Sequence, residues 1–327
     1  MKAARYTGYG SPEVVQIANV EKPVPANSEV SIKVRAASVN PLDAHLMKGK
    51  PYIARLVLGL RKPRDPRAGR DVAGRVEAVG PSVTQFRPGD EVFGACRGAF
   101  AEYACASESK LAMKPGNVTF EQAASAPVAA LTALQGLRDK GKVQPGQMVL
   151  INGAAGGVGT FAVQIAKLFG AIVTGVCSTR NVDLVRSIGA DLVIDYTQED
   201  FTQTLQPFDV IFDLIGNRSL SAFRRILSPG GTYIAVGVIG APQGGLLGPA
   251  AHPLKTIALS WFVRDRITAF GARLTQEDLN VVRELMASGK VLPVIDRCYG
   301  LSEVPQAIRY VAEGHARGKV VIALEAI

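Results

Sequence analysis

The clearest hydrophobic pattern in the chain lies between residues 149 and 168. An apolar run at 149–151 indicates a short buried strand, and a cluster of glycines follows it at 153, 156, 157 and 159. Apolar residues then recur at helical spacing, at Val158, Phe161, Ala162, Ile165 and Leu168. The pattern predicts a strand, a tight turn and an amphipathic helix.

Buried strands alternate with helices after this turn. Parallel strands need long crossover connections, and helices at this spacing supply them. The predicted strands are 171–176, 191–194, 210–214 and 232–236, and the predicted helices between them are 181–188 and 220–227. We therefore predict a doubly wound parallel sheet.

The first part of the chain has a different sequence pattern. Short β-rich runs are separated by glycine and proline turns, such as Gly80-Pro81 and Pro88-Gly89, which favours a small antiparallel barrel. The runs lie at 30–35, 72–79, 91–93 and 99–104.

Helix formers begin at Thr119. The Thr119 hydroxyl stands three residues before Gln122, which predicts a capping box at the start of an alanine-rich helical run to Arg138. The last part of the chain is predicted to form a helix at 275–287, a strand at 294–297, a helix at 304–313 and a strand at 319–323. We predict an α/β protein with one domain at 1–120, a second at 121–271, and a return to the first at 272–327.

Composition and charge narrow the possible functions. The 327 residues are 47% hydrophobic and 20% charged, which indicates a globular chain. The formal charge of +9 would suit nucleic acid, but the basic residues are dispersed and only 6% of residues are aromatic. The most basic stretch, 55–75, contains Asp65 and Asp71, and we interpret it as a solvated loop. Nucleic acid is not an expected partner.

The sequence carries no sign of export or of a membrane span. No apolar run approaches the roughly 20 residues that cross a bilayer, and the first residues have no apolar signal core. We expect a cytoplasmic protein without a membrane partner. The four cysteines include no C-x-x-C pair, so reduced thiols are expected rather than a disulfide framework.

The glycine turn is typical of a dinucleotide site. Where side chains are absent, backbone amides can approach a phosphate closely. The start of the following helix adds unpaired N–H groups and a partial positive charge. The sequence therefore predicts that a pyrophosphate binds at this turn.

The residues after the second strand of the sheet favour NADPH. NAD would need a carboxylate about 20 residues beyond the glycines. Here the strand leads into Ser178 and Arg180 with no acid before Asp183, and a hydroxyl with a guanidinium suits a 2′-phosphate. Tyr196 is a further candidate for a phosphate contact. The alternative is that Ser178 is an N-cap, Arg180 a solvated side chain and Tyr196 a packing residue.

Six short motifs together resemble one known group, the zinc-free quinone oxidoreductase branch of the medium-chain dehydrogenase/reductase superfamily. They cover nearly the whole chain in order, at 36–43, 69–74, 89–94, 154–159, 189–191 and 314–321. The resemblance implies a GroES-like β-barrel as the catalytic domain, an inserted Rossmann domain and, frequently, a homodimer.

The resemblance also implies three groups of cofactor-binding residues. Ala155, Gly156, Gly157 and Val158 would hold the pyrophosphate, and Ser178, Arg180 and Tyr196 the adenosine phosphate. The nicotinamide side would be lined by Ile215, Gly216 and Val238, with Lys319 as a further candidate.

A metal site is not expected. Zinc-containing relatives carry a cysteine at the position of Asn40 and a histidine at that of Arg70, and these two replacements cannot complete a thiolate and imidazole site. The closely spaced cysteines that bind the relatives' structural zinc are also missing. Histidines 45, 252 and 315 are assigned ordinary structural roles.

Asn40 and Asp43 are the candidate catalytic residues. Without a metal, a hydrogen bond must stabilise the negative charge that develops on a substrate oxygen, and the Asn40 amide can donate one. We expect Asp43 to orient the turn or a water, because an unperturbed carboxylate is ionised at neutral pH. The alternative is that both residues only cap the helical segment 44–48.

The sequence thus predicts a zinc-independent, NADPH-dependent oxidoreductase that reduces quinones or α,β-unsaturated carbonyl compounds. Two alternatives stay open. One is a low-turnover NADPH-binding protein that contacts RNA or another polyanion. The other is a secondary-alcohol dehydrogenase, against which the missing zinc ligands argue.

Overall fold

A computed structural model describes residues 1–50, 52, 55–236 and 266–324. The chain divides into two compact units, Met1–Leu131 with Leu274–Ile327, and Thr132–Arg273. We name them the antiparallel unit and the parallel unit after their main sheets.

The strands and helices of the described residues are numbered in chain order. The strands are β1 Lys2–Tyr6, β2 Val15–Asn19, β3 Glu29–Val39, β4 Asp71–Val79, β5 Glu91–Ala95, β6 Tyr103–Ser107, β7 Leu111–Met113, β8 Met148–Asn152, β9 Ile172–Cys177, β10 Leu192–Asp195, β11 Phe208–Asp213, β12 Leu227–Ala235, β13 Arg266–Ala269, β14 Ile295–Gly300 and β15 Lys319–Ala323. The helices are α1 Pro41–Lys48, α2 Arg55–Leu58, α3 Phe120–Ser125, α4 Pro127–Gln135, α5 Gly157–Leu168, α6 Val182–Ser187, α7 Leu220–Arg225, α8 Gln276–Ala287 and α9 Val304–Ala312.

The antiparallel unit is organised around the long strand β3. Its sheet has the order β14-β15-β3-β4-β5-β7, and β6 also pairs with β3. The C-terminal strand β15 lies antiparallel beside β3 with Val320 opposite Val39, so the end of the chain belongs to this unit. Helix α9 buries Val304, Ala307 and Ile308 in the same core, at the spacing of one helix face.

The parallel unit is a doubly wound sheet. All six strands run parallel in the order β10-β9-β8-β11-β12-β13. The order reverses between β8 and β11, and ligands of such sheets bind at this switch point, beyond the carboxyl ends of the strands. Helix α5 buries Phe161, Ala162 and Ile165 on the face that the spacing predicted.

The alanine-rich run after Thr119 is less regular than predicted. The capping box is confirmed, because Thr119 Oγ1 accepts from the Gln122 N–H at 3.2 Å and Gln122 Oε1 accepts from the Thr119 N–H at 2.9 Å. The single predicted helix is wrong, however. Pro127 lacks an N–H, so α3 ends at Ser125 and α4 begins at the proline, and residues Gly136–Gly141 then form a π-helix.

Two further local predictions needed correction. The strand predicted at 99–104 lies at Tyr103–Ser107, because Phe100 instead makes backbone hydrogen bonds with Ala4 and Ala68. The basic stretch 55–75 is not a continuous loop, since it begins with α2 and its end forms the start of β4. All four cysteines are free, as predicted. Over the ranges that the structure describes, no helix is long and apolar enough to span a membrane.

Candidate active site

The glycine turn joins β8 to α5 at the switch point of the parallel sheet. Gly153 adopts a positive φ of 91°, which favours glycine, and a Cβ on Gly153 would lie 2.8 Å from the Ile215 side chain. A Cβ on Gly159 would collide with the Gly153 carbonyl and the Ala154 backbone. The glycines therefore allow the helix to start directly against the strand.

The N-terminus of α5 has the properties of a phosphate site. Gly156 is the N-cap, in extended conformation, and no side chain caps the helix. The N–H groups of Gly157, Val158 and Gly159 have no carbonyl one turn earlier within the helix. Among the described residues, a Cβ on Gly156 would meet only the Gly153 carbonyl, at 3.4 Å, so this part of the chain leaves room for a ligand at the helix start. These residues fit the pyrophosphate of a dinucleotide.

A buried carboxylate shapes the loop that follows β11. Asp213 Oδ1 accepts from the backbone N–H groups of Ile215 and Gly216, at 3.1 and 3.0 Å, and from the Asn152 amide at 2.8 Å. Its Oδ2 accepts from the Tyr233 hydroxyl at 2.6 Å. Asp213 thus fixes the turn beside the glycine loop. Ile215 and Gly216, two of the residues implied for the nicotinamide side, lie in this turn, whereas Val238 lies outside the described residues.

The three residues predicted for the adenosine phosphate lie at the ends of β9 and β10. Ser178 is half-buried, Arg180 and Tyr196 are exposed, and the Tyr196 N–H donates to the Cys177 carbonyl at 3.0 Å. The structure therefore gathers them at one edge of the sheet.

An acidic residue that the sequence reasoning missed lies at the same edge. Asp195 ends β10, and its carboxylate accepts from the Thr179 hydroxyl at 2.6 Å and the Thr197 hydroxyl at 2.7 Å. These hydrogen bonds hold the pKa of Asp195 below its usual range. No acid lies between the glycine turn and Asp183 in the sequence, but the parallel pairing of β10 with β9 brings Asp195 to this edge.

The antiparallel unit contains a second polar cluster, centred on Asp71 at the start of β4. Asp71 is fully buried, and its Oδ2 accepts from Ser38 Oγ and Asn40 Nδ2, both at 2.9 Å. Its Oδ1 accepts from the Val128 N–H at 3.1 Å, in the first turn of α4, where the helix dipole favours negative charge. The register places Ser38 directly opposite Asp71.

Lys319 completes this cluster from β15. Its Nζ donates to Asn40 Oδ1 at 2.7 Å and lies 3.5 Å from Asp71 Oδ2, while the side chain is 3% exposed. Because an ammonium can only donate, Lys319 fixes the Asn40 amide with its oxygen towards the lysine and its nitrogen towards Asp71. Burial lowers the pKa of Lys319, and the charges of Asp71 and Asp43 oppose that shift.

Asp43 alone performs the capping that the alternative hypothesis assigned to both residues. Its Oδ2 accepts from the Asn40 N–H at 2.8 Å at the start of α1, whereas the Asn40 side chain bonds to Lys319 and Asp71. Asp43 Oδ1 is buried without a hydrogen-bond partner within the described chain. Burial, reinforced by the nearby charge of Asp71, raises the pKa of Asp43 to about 7. The premise of an unperturbed carboxylate was therefore wrong.

Comparisons with known proteins match both parts of the chain. Residues 26–116 match the family described as alcohol dehydrogenase GroES-like domain, and residues 188–322 match the zinc-binding dehydrogenase family. The chain is 37% identical to the mitochondrial NAD(P)H oxidoreductase RTN4IP1 of Mus musculus, over 96% of this chain and 87% of that protein. The chain belongs to the zinc-free quinone oxidoreductase branch of the medium-chain dehydrogenase/reductase superfamily.

Two further relatives span almost all of the chain. The chloroplastic NADPH-dependent alkenal/one oxidoreductase of Arabidopsis thaliana is 34% identical over 98% of this chain and 79% of that protein. The solved structure of the quinone oxidoreductase from Coxiella burnetii is 30% identical, covers 99% of both chains and superposes with a TM-score of 0.87. The GroES-like and Rossmann architecture is thereby confirmed.

The name of one matching family mentions zinc, so we ask which side chains could bind a metal ion. Within the part of the chain that the structure describes, no group of three or more His, Cys, Asp or Glu side chains is placed to hold a metal ion. In this member of the branch, the buried cation beside Asn40 is the Lys319 ammonium.

Proposed function

We propose that the protein is a zinc-independent, NADPH-dependent oxidoreductase that reduces quinones or α,β-unsaturated carbonyl compounds by hydride transfer. The observation that carries the proposal is the buried cluster in which Lys319 orients the Asn40 amide. Two relatives, an alkenal/one oxidoreductase and a quinone oxidoreductase, support the substrate class. A homodimer and a cytoplasmic location are predictions from the sequence alone.

The cofactor, when bound at the α5 N-terminus, supplies the hydride. The chain's own task is then to stabilise the negative charge on the acceptor oxygen, and we assign that task to Asn40. One N–H of its amide donates to Asp71, and the other has only a long contact of 3.5 Å with the Ser38 carbonyl. That second N–H is the one we assign to the oxygen. Its donor strength is increased by Lys319, which withdraws charge through the amide oxygen.

We assign to Asp43 the handling of the proton that the reaction consumes. Conjugate reduction consumes one hydride and one proton, and a carboxyl group whose pKa is about 7 can hold or release a proton at neutral pH. The Asp43 carboxyl also holds the backbone of Asn40. We reassign Lys319 from the cofactor to the orientation of Asn40.

The function is tested by measuring NADPH consumption against quinones, enones, simple ketones and secondary alcohols, with identification of the products. We expect turnover with quinones or enones and little with simple ketones, unchanged by a chelator. Activity that is lost in chelator and restored by zinc would contradict metal independence. Turnover of secondary alcohols alone would replace the proposal with the dehydrogenase alternative.

Arg180→Ala is expected to narrow the preference for NADPH over NADH. A hydrogen bond to a charged group is worth about 1.5–3 kcal/mol, or roughly ten- to a hundredfold in affinity. Asp195→Asn is expected to increase the preference for NADPH over NADH, because it removes a negatively charged carboxylate from the same edge of the sheet. Titration of both cofactors into the two variants checks this. If the ratio of the NADH and NADPH dissociation constants is the same in Arg180→Ala as in wild type, other residues bind the phosphate.

Asn40→Ala is expected to lower enone turnover by about 10²–10³, the usual effect of removing one donor to an oxyanion. Ser38→Ala is the matched control, since Ser38 also donates to buried Asp71 at 2.9 Å but has no role at the acceptor oxygen. Turnover per folded molecule, NADPH affinity and melting temperature are measured for both. If the two variants lose stability alike and keep full turnover, the Asn40 amide is only structural.

Asp43→Asn is expected to gain stability over wild type as pH rises from about 5 to about 8. The pKa of Asp43 is raised from 3.8 to about 7 in the folded chain, so the stabilising proton is lost as pH rises through 7. The asparagine cannot ionise but keeps an acceptor for the Asn40 N–H. Melting temperatures across this range check the expectation, with Glu77→Gln as control, because Lys22 lowers the pKa of that exposed carboxyl. A pH-independent difference between Asp43→Asn and wild type would refute it.

A further inference from the structure

A cavity of about 220 Å³ lies within the antiparallel unit, beside the Asp71 cluster, since the Tyr6 hydroxyl on its wall donates to the Asp43 carbonyl at 3.4 Å. Tyr6, Tyr9, Leu46 and Leu58 form apolar parts of its wall. Sites for drug-sized ligands are usually about 300–1,000 Å³, so this one has room for a small molecule or for one end of a larger one.

The charge on the cavity wall is strongly unbalanced. Four arginines line it, at positions 64, 67, 70 and 97, against the single acid Asp65. Asp65 is already engaged, because Arg67 binds it with two hydrogen bonds of 2.8 Å and Arg97 lies 3.4 Å away. The Asp65 carboxylate is thus the partner of two of the four guanidinium groups.

The other two arginines on the wall, Arg64 and Arg70, differ from the first two in their contacts with the described residues. Across the described residues, neither the Arg64 nor the Arg70 side chain makes a hydrogen bond or an ion pair, although each has up to five N–H donors. Arg70 is half-buried. Burial raises the pKa values of Asp43, Tyr6 and Cys96, and the charge of Arg70 partly opposes that rise without a hydrogen bond to any of them. A partly buried guanidinium whose N–H donors make no hydrogen bond among the described residues favours an anionic ligand.

We propose that this cavity binds the carboxylate of a small organic acid, with Arg64 and Arg70 as the groups that hold it. A planar guanidinium matches a carboxylate in a paired geometry, and the tyrosine and leucine side chains suit an aromatic or aliphatic body. An inorganic anion would leave that apolar wall unfilled. The test measures binding without NADPH, so its outcome does not depend on the proposed reductase function.

The test is calorimetric titration of the full chain, without NADPH, using benzoate, its neutral counterpart benzamide, and inorganic phosphate. We expect benzoate to bind in the millimolar range or tighter and to weaken as salt is added, since the interaction is between charges. Benzamide and phosphate are expected to bind at least about tenfold more weakly.

Three variants make the assignment specific. Arg70→Gln and Arg64→Gln are each expected to reduce benzoate affinity about tenfold or more, because each removes charge-assisted hydrogen bonds. Arg87→Gln is the control, as it removes the same charge from an exposed arginine of the same unit. Melting curves establish that each variant is folded. Equal affinity for benzoate and benzamide, or equal weakening by Arg87→Gln and Arg70→Gln, would overturn the proposal.

Discussion

Replacement of Lys319 by methionine is expected to destabilise the antiparallel unit by about 3–5 kcal/mol, the usual effect of removing one partner of a buried ion pair. Lys319 is 3% exposed and Asp71 is fully buried. Methionine matches the length of the lysine stem, so packing changes little. The carboxylate of Asp71 loses its only buried cation among the described residues, and Asn40 Oδ1 loses its donor.

The change is measured by urea unfolding combined with hydrogen exchange of the β3 and β15 amides, which separates this unit from the parallel unit. Lys22→Met is the matched control, because Lys22 pairs with Glu77 at 2.7 Å on the surface, where such a pair contributes at most about 1 kcal/mol. The double variant Lys319→Met, Asp71→Asn is expected to recover much of the loss. Similar losses in Lys22→Met and Lys319→Met would show that the buried pair contributes no more to stability than the surface pair.

The fold could be predicted because its signals are local. The 3.6-residue spacing from Val158 to Leu168 and the glycines before it specify a helix that starts against a strand, and α5 follows that pattern. Local signals failed where a distant contact decides the backbone. The π-helix at Gly136–Gly141 is one such place, since a Cβ on Gly136 would strike the Phe212 ring of β11.

The candidate site could be predicted only in part, for the same physical reason. The Asn-Pro turn at Asn40 is visible in the sequence, but the partners of its amide are 31 and 279 residues away, at Asp71 and Lys319. The pairing of β15 with β3 and of β3 with β4 brings them together. In the sequence, Asp71 interrupts a basic stretch and belongs to the 69–74 motif, and Lys319 is a candidate for the cofactor, but neither is assigned to Asn40.

The contacts of Asp213 in the parallel unit could not be predicted from the sequence either. The sequence places it at the end of an apolar strand, where it gives no sign of binding anything. Only the sheet order sets β8 beside β11, so that Asn152, Tyr233 and the loop after β11 all meet its carboxylate. Parallel pairing, which needs long crossovers, is the part of this architecture that a single sequence specifies least directly.

Gly159→Ala is expected to abolish measurable NADPH binding and to destabilise the parallel unit. The added methyl group would collide with the Gly153 carbonyl and the Ala154 backbone, which belong to the turn itself and cannot rotate away. Forcing such a group into a packed site costs about 1–3 kcal/mol or more, and here the backbone that must move also carries the amides of the phosphate site.

The Gly156→Ala variant separates the loss of NADPH binding from the loss of stability. A Cβ at Gly156 makes only an ordinary contact of 3.4 Å with the Gly153 carbonyl, so this variant is expected to fold with a near-normal melting temperature. Its methyl group would nevertheless stand at the N-cap of α5, and we expect NADPH affinity to fall by about tenfold or more as the phosphate loses close approach to the amides. Gly116→Ala, at an open position in the other unit, is the control. If Gly156→Ala binds NADPH as tightly as Gly116→Ala, the pyrophosphate does not lie at this helix.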